Sequence, residues 1–438
     1  MKDKIVYMAV ASDFFHDGHR NIIEEGRRYG SVMIGLLTDE AIAAYKRPPV
    51  TEYAGREKLF SSIKGVDRVV PQTTLDYTEN LKRYRPDYVV HGDNWKTGLQ
   101  SNVRRQVIKT LEEWGGTLIE VPYTATEAVR LLEETYEKRF QTTENRRAAL
   151  KRLLKLRPYI RVMEASNGLS GLIAEQTTYT DGEQLCIKGF DALWISSLCD
   201  SAWKGKPDIE LVDITSRLHT VNEIMEVTTK PIIFDGDTGG KIEHFVYNVK
   251  TLERLGVSAI IIEDKKGLKQ NSLLAGNTVH RMEAKAVFAD KIAAGKRAQV
   301  TDDFMIIARL ESLIAGAGVE DALERAKAYL RAGADGIMVH SKEPDGADAF
   351  LFMREFRQIY PEVPVVLVPT AYHRYTEEEL SAQGAKVIIY ANHLLRSAYP
   401  AMVRTARMIL AQGSSRQASE TNCMPINEIV SLISGEWE

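Results

Sequence analysis

Eight short apolar runs recur between residues 159 and 393, and most are separated by an amphipathic helical pattern. They are YIRVME (159–164), ALWIS (192–196), PIIFDGD (231–237), AIIIED (259–264), MIIARLE (305–311), GIMVHS (336–341), VVLVPT (365–370) and VIIYANH (387–393). VYNVKTLERLG (246–256) and VEDALERAKAYLRAG (319–333) are two of the intervening helical patterns. A strand buried on both faces reads as a continuous apolar run, and eight β-then-α units are the count of a (β/α)₈ TIM barrel. Almost every run ends in a polar residue: Glu164, Ser196, Asp235 with Asp237, Glu263, Arg309, His340, Thr370 and Asn392. In this architecture the C-terminal strand ends carry the chemistry, so the pattern predicts an active mouth. A long polar segment after the fourth run, KKGLKQNSLLAGNTVHRM (265–282), is expected to serve as a lid over it.

The chain has 438 residues, a length that suits two domains. Its first part alternates strand and helix signals: IVYMAVAS (5–12), RNIIEEGRRYG (20–30), SVMIGLLTD (31–39), REKLFSSIKGV (56–66), DRVVP (67–71), DYVVHGD (87–93) and GGTLIEVPYT (115–124). This βαβα order predicts a parallel sheet covered on both faces. The highly charged stretch 127–157 reads as a connector plus the first helix of the second domain, mostly a solvated face. A domain cut at residue 135 is expected, giving domains 1–135 and 136–438.

The net charge is −3, without the basic excess of a nucleic-acid binder. No apolar run is long enough for a membrane span, and the N-terminus lacks a secretory pattern. Cys186, Cys199 and Cys423 are scattered and form no framework, which suits a reducing cytoplasm.

The strand ends suggest specific chemistry. Asp235, Asp237 and Glu263 bring three carboxylates to adjacent mouths, and crowded like charges call for a hard counter-ion such as Mg²⁺. Arg309 offers a planar fork for a carboxylate or phosphoryl group, and His340 shares its rim. In the first domain H-D-G-H (16–19) lies between a strand and a helix. Two imidazoles there flank Gly18, which lets the backbone approach phosphates beside a positive helix end.

The second part resembles the phosphoenolpyruvate mutase family over about 290 residues. EDKKGLKQNS (263–272) is similar to the family's E-D-K-x-x-x-K-x-N-S, and DGDTG (235–239) to its D-x-D-T-G. EASNGLSGLIAE (164–175), LWISSL (193–198), VHSK (339–342) and ANHLLR (391–396) fall in register. The resemblance implies conversion of phosphoenolpyruvate to phosphonopyruvate. Asp235 would bind Mg²⁺ directly, with Asp237 and Glu263 holding its waters. Ser196, with the amides of Ser197 and Leu198, would grip the pyruvyl oxygens beside Trp194. Arg309 would hold substrate and His340 the phosphoryl group, near Asp208. Lys269, Asn271 and Ser272 would belong to the lid. One departure is Ser197, where the family has glycine. Phosphonopyruvate hydrolase is the nearest alternative, and Asn271 favours the mutase. Isocitrate-lyase-like enzymes carry a lid cysteine that this chain lacks.

Residues 4–125 resemble the cytidylyltransferases that act on glycerol 3-phosphate, through H-x-G-H, Arg56 ahead of a helix and HGDNW (91–95). The implied fold is a Rossmann-like nucleotidyltransferase domain preceding the barrel. His16, Gly18 and His19 would contact the CTP phosphates, and Lys46 the acceptor. Arg56, Gly92, Asp93, Trp95 and Thr124 would complete the nucleotide site. The family's R-T-x-x-I-S-T-T is reduced here to PYTATEAV (122–129), so a degenerate or CTP-responsive regulatory domain stands as the alternative. The fusion resembles bifunctional proteins of phosphonate biosynthesis. The expected acceptor is a downstream phosphonate, 2-hydroxyethylphosphonate first and 2-aminoethylphosphonate second. The resemblance also implies a homo-oligomer, dimer or tetramer, and MPINEIVSLIS (424–434) is either an exchanged or a packed terminal helix.

Overall fold

The computed structural model describes residues 4–96, 100–122, 124, 126–181, 186–267, 269, 271–272 and 281–432. Five parallel strands build the first sheet: β1 (Ile5–Val10), β2 (Ser31–Leu37), β3 (Arg68–Gln72), β4 (Tyr88–Gly92) and β5 (Thr117–Val121), in the order β3-β2-β1-β4-β5. Alternation along the strands feeds two cores. Tyr7, Met33, Val70 and Val89 pack on one face, and Val6, Met8, Val32, Ile34 and Val90 on the other. The order reverses between β1 and β4, and ligands of open α/β sheets bind at the carboxyl ends of strands at such a point.

The expected cut at residue 135 falls inside the helix Glu127–Arg139, which continues past it. The next helix, Thr143–Leu156, closes one end of the second domain. Its Leu150 and Leu153 join the cluster that fills the barrel interior.

That barrel is closed and parallel: β6 (Ile160–Glu164), β9 (Ala192–Ile195), β10 (Ile232–Asp235), β11 (Ala259–Glu263), β12 (Met305–Leu310), β13 (Gly336–Val339), β14 (Val365–Leu367) and β15 (Val387–Tyr390). All eight predicted runs are present. Between β6 and β9 lies an unexpected antiparallel hairpin, β7 (Thr178–Asp181) with β8 (Cys186–Gly189). Strand parity decides what faces inward. Ile160 and Val162, Ala192 and Trp194, Ala259 and Ile261, and Met305 and Ile307 fill the interior. Continuing each by two residues puts Glu164, Ser196, Glu263 and Arg309 at the mouth. The opposite parity, including Leu193, Phe234, Ile260, Ile306 and Ile337, packs against the surrounding helices.

At the lid, Lys265 bridges Met282 and the Lys266 amide donates to the Arg281 carbonyl at 2.8 Å, so its two ends are zipped together. Residues 268, 270 and 273–280 lie outside the described residues, as do 433–434 of the terminal segment. The helix Ile426–Ser431 has no buried residue and so is not packed into its own chain. No described helix is long and apolar enough to cross a membrane.

Candidate active sites

In the first domain the loop after β1 and the start of the helix Asp17–Arg27 face the end of β4 across a cavity of about 680 Å³. That volume is within the ~300–1,000 Å³ of small-ligand sites. His16, Gly18, His19, Lys46, Gly92 and Thr124 line it. His16 Nδ1 accepts from the Gly18 amide at 3.0 Å, so the neutral ring carries its proton on Nε2. A Cβ at Gly18 would come within 2.8 Å of the His16 ring, which explains the glycine. Burial pulls the His16 pKa down, and takes His19 to about 3 with help from the charges of His16 and Lys46. His19 Nδ1 is buried and has no hydrogen-bond partner among the described residues. Burial also lowers Lys46, whose ammonium donates to the Ala11 carbonyl at 2.6 Å.

Arg56, Asp93 and Trp95 do not line the cavity, contrary to expectation. Arg56 is fully buried, donating to Asp39 at 2.6 Å and to the Leu37 carbonyl at 2.8 Å. Its Nε lies 3.8 Å from Asp13, which does line the cavity. Trp95 is buried, stacks on the cavity residue His91 at 3.8 Å and donates to Glu120 at 2.8 Å. Asp93 pairs at 3.5 Å with Lys96. Arg56 and Trp95 thus touch residues that line the cavity without lining it themselves, a distinction that motif spacing does not reveal. Sequence reasoning also missed one wall of the cavity. Glu133, Tyr136, Glu137 and Phe140 come from the charged connector, whose pattern gave no sign of a binding face.

At the barrel mouth one small cavity, about 60 Å³, gathers Trp194, Ser196, Ser197, Leu198, Asp208, Asp235, Lys269, Asn271, Ser272, Arg309 and His340. Asp235 Oδ2 accepts both the amide (3.1 Å) and the hydroxyl (2.9 Å) of Ser197. The Ser197 amide, expected to face substrate oxygens, is thus turned to the carboxylate. Ser196 caps the helix Ser197–Trp203. Lys269 pairs with Asp237 at 2.6 Å and Asp208 at 3.1 Å, and Asn271 donates to Asp208 at 2.9 Å. Burial alone would raise the Asp235 carboxyl. The charges of Lys269, Arg217 and Arg309 overcome it and hold the group near 2. The four surrounding acids raise Lys269 against its own burial.

Arg309 is held on every side. Nε donates to Glu311 at 2.6 Å, Nη2 to Ser272 at 2.9 Å and to His340 Nδ1 at 2.9 Å, and Nη1 lies 3.2 Å from Glu263. Since a guanidinium only donates, His340 Nδ1 must accept, which leaves Nε2–H as a donor. Burial and the Arg309 charge keep that ring neutral by lowering its pKa.

Glu263 is buried and neither oxygen has a hydrogen-bond partner among the described residues. Burial and the nearby Glu311 push it up to about 7, against Arg309, Lys269 and Lys265. Carboxylate oxygens that face Lys265 and Arg309 at 3.4 and 3.2 Å without a hydrogen bond, beside an ionised Asp235, suit a hydrated divalent cation. Among the described residues no three His, Cys, Asp or Glu groups converge to cage an ion by themselves. Mg²⁺ keeps several waters and takes one or two carboxylates, so Asp235, Asp237 and Glu263 are the residues that could hold it.

Three residues that the sequence did not single out complete this mouth. Buried Arg217 donates to the Asp235 carbonyl at 2.6 Å and to Asp237 at 3.1 Å, fixing a loop in which Asp237 has φ +52°. Glu311 accepts from Arg309 and Ser272, and Lys265 lies 3.2 Å from it. Glu311 shares the inward parity of Arg309, a signal that was available.

The family model described as phosphoenolpyruvate phosphomutase matches residues 150–410, and a cytidylyltransferase-like model matches residues 12–166. A phosphoenolpyruvate phosphomutase of Tetrahymena pyriformis is 36% identical over 275 residues, covering 62% of this chain and 86% of the relative. A crystal structure of phosphoenolpyruvate phosphomutase from Streptomyces platensis subsp. rosaceus aligns at TM-score 0.58 and 34% identity, covering 65% of this chain and 94% of that one. A phosphonopyruvate hydrolase in complex with oxalate and Mg²⁺ aligns at TM-score 0.56 and 32% identity, covering 66% and 94%.

Proposed function

The chain belongs to the phosphoenolpyruvate phosphomutase family, and from that premise we propose that its barrel interconverts phosphoenolpyruvate and phosphonopyruvate. We further propose that the first domain transfers a cytidylyl group from CTP to a small phosphonate. The observation that carries the barrel reading is the closed mouth. Arg309, Lys269 and Asp235 face a cavity of about 60 Å³ beneath Asn271 and Ser272, too small for substrate until the lid moves.

In the mutase reaction the P–O bond to the enol oxygen breaks and a P–C bond to the methylene of the same molecule forms. Neither water nor a net proton is consumed. Phosphoryl transfer of this kind passes through a loose, metaphosphate-like arrangement, which water would intercept, so the site must close before bond breaking. Arg309 and His340 Nε2–H hold the phosphoryl oxygens. Asn271, tethered to Asp208 at 2.9 Å, keeps the migrating group from solvent. Ser196 and the Leu198 amide take the pyruvyl oxygens against the wall of Trp194, with Ser197 bracing Asp235. Mg²⁺, held by Asp235 directly and by Asp237 and Glu263 through water, would neutralise enolate charge. The oxalate and Mg²⁺ of the related hydrolase complex support that cofactor.

In the first domain an acceptor oxygen attacks the α-phosphorus of CTP, and the Pα–O bond to the β-phosphate breaks to release pyrophosphate. His16, Gly18 and His19 receive the phosphates at the N-terminus of the helix Asp17–Arg27, and Lys46 the acceptor. The position of the 680 Å³ cavity at the strand-order reversal supports this. A cytoplasmic location, where CTP is at hand, is proposed together with this reaction. The helix His393–Gln412 has no buried residue and exposes Tyr399, Met402 and Leu410, which supports assembly as a homodimer or homotetramer.

Asp235→Ala is expected to lower formation of phosphoenolpyruvate from phosphonopyruvate by roughly 100-fold or more. His16→Ala should lower pyrophosphate release by a similar factor and spare the mutase. Both steady-state rates, measured on both variants, check the assignment. Unaltered turnover in Asp235→Ala overturns the barrel site. Mutase turnover that rises with CTP, without pyrophosphate release, would make the first domain a regulator.

A further inference from the structure

We propose that the acceptor of the first domain is a short phosphonate carrying a protonated amine, whose ammonium end is received by the connector helix Glu127–Arg139; this rests on the cytidylyltransferase reading above. The cavity lining carries two chemically different sets of groups. One is phosphate-directed: the helix start at Asp17, Lys46, and His19, whose Nδ1 has no hydrogen-bond partner among the described residues. The other is aromatic and acidic: Phe14, Tyr136 and Phe140, with Glu133 and Glu137. The two sets adjoin, the Phe14 ring lying 5.7 Å from that of His16.

The aromatic wall is ordered by its own contacts. The Phe14 and Tyr136 ring centroids are 5.3 Å apart, as are those of Tyr136 and Phe140. The Tyr136 hydroxyl donates to Asp13, which also accepts from the Val50 amide at 2.7 Å. In the aromatic and acidic set one acid and one ring already have their cation. Arg47 lies 3.1 Å from Glu137, and its guanidinium sits 5.4 Å from the centre of the Phe140 ring. Glu133 has no ion pair among the described residues, and its charge reaches both His16 and Lys46. The Phe14 and Tyr136 rings and the Glu133 carboxylate therefore share the cavity lining with Lys46, with no ion pair or cation–ring contact of their own among the described residues.

Ring faces and a carboxylate together attract an ammonium group. A doubly charged acceptor with a neutral hydroxyl tail would add negative charge beside Glu133 and match nothing there. A zwitterionic acceptor puts its anionic end on Lys46 and its cationic end on Glu133. The amine takes no part in the transfer: the phosphonate oxygen forms the new bond to the α-phosphorus, pyrophosphate leaves, and the ammonium stays protonated.

The test uses the full chain with CTP and Mg²⁺, reading pyrophosphate release with 2-aminoethylphosphonate and with 2-hydroxyethylphosphonate. The amine is expected to have the higher kcat/KM by about 10-fold or more, the size of one charge-assisted contact. Glu133→Gln should shrink that preference, chiefly by raising KM for the amine. Equal or better use of the hydroxyl compound by the unmodified protein overturns the inference and leaves the cytidylyltransferase reading standing. So does a preference for the amine that Glu133→Gln leaves intact. No pyrophosphate with either compound removes the reading and the inference together.

Discussion

Burial holds the His19 ring at about 3, down from 6.5, so the folded chain binds fewer protons there than the unfolded chain between those two pH values. Stability contributed by this site is therefore complete above about pH 6.5 and is lost as pH falls toward 3. By pH 4 the loss amounts to about 3 kcal/mol. Chemical denaturation of the first domain at pH 7 and pH 4 should show this loss in the wild type and much less of it in His19→Gln. Equal losses would mean the ring is not held neutral. Single residues also mark where sequence reading reaches its limit. Arg309 and His340 were recognisable because each ends a strand. Arg217 was not, because its role comes from a helix laid under the Asp235–Asp237 loop, and nothing in the local pattern separates it from a solvated arginine. Arg56 shows the converse: a motif position whose guanidinium turned inward to Asp39.

Among elements, the eight barrel strands were legible because burial on both faces writes them as unbroken apolar runs. The β7–β8 hairpin was not, since TYTD and CIKG are too short to show a period. The connector helix hid its cavity-facing residues among many charges. The polar insertion after β11 was legible as such, but the anchor at Ser272 was not. Ser272 Oγ accepts from Lys265 at 2.6 Å and from Arg309 at 2.9 Å and donates to Glu311 at 2.9 Å, tying the lid to two strand ends. Ser272→Ala leaves those buried groups short of a partner, a loss of about 1–3 kcal/mol from the closed state. The variant is expected to turn over more slowly and to release a larger share of inorganic phosphate from phosphonopyruvate, as water enters. Product ratios from a phosphate assay run beside a phosphoenolpyruvate assay check this, and an unchanged ratio would show that Ser272 does not seal the site.

At the scale of the whole molecule, two strand-end mouths sit on one chain, and a different phosphorus chemistry is proposed for each. The first-domain cavity measures about 680 Å³, whereas that at the barrel mouth measures about 60 Å³ and has Lys269, Asn271 and Ser272 in its lining. Arg47 ties them mechanically, pairing with Glu137 of the connector and with Glu175 of the barrel at 2.9 Å. It is partly exposed, so the link orients the domains more than it stabilises them. The claim on which the rest depends is that the barrel moves a phosphoryl group within one molecule and does not hand it to water. Phosphorus-31 NMR of the full chain with phosphonopyruvate and Mg²⁺ reads this directly. The phosphonate resonance should be replaced by that of phosphoenolpyruvate; replacement by inorganic phosphate would contradict the account and make the barrel a hydrolase.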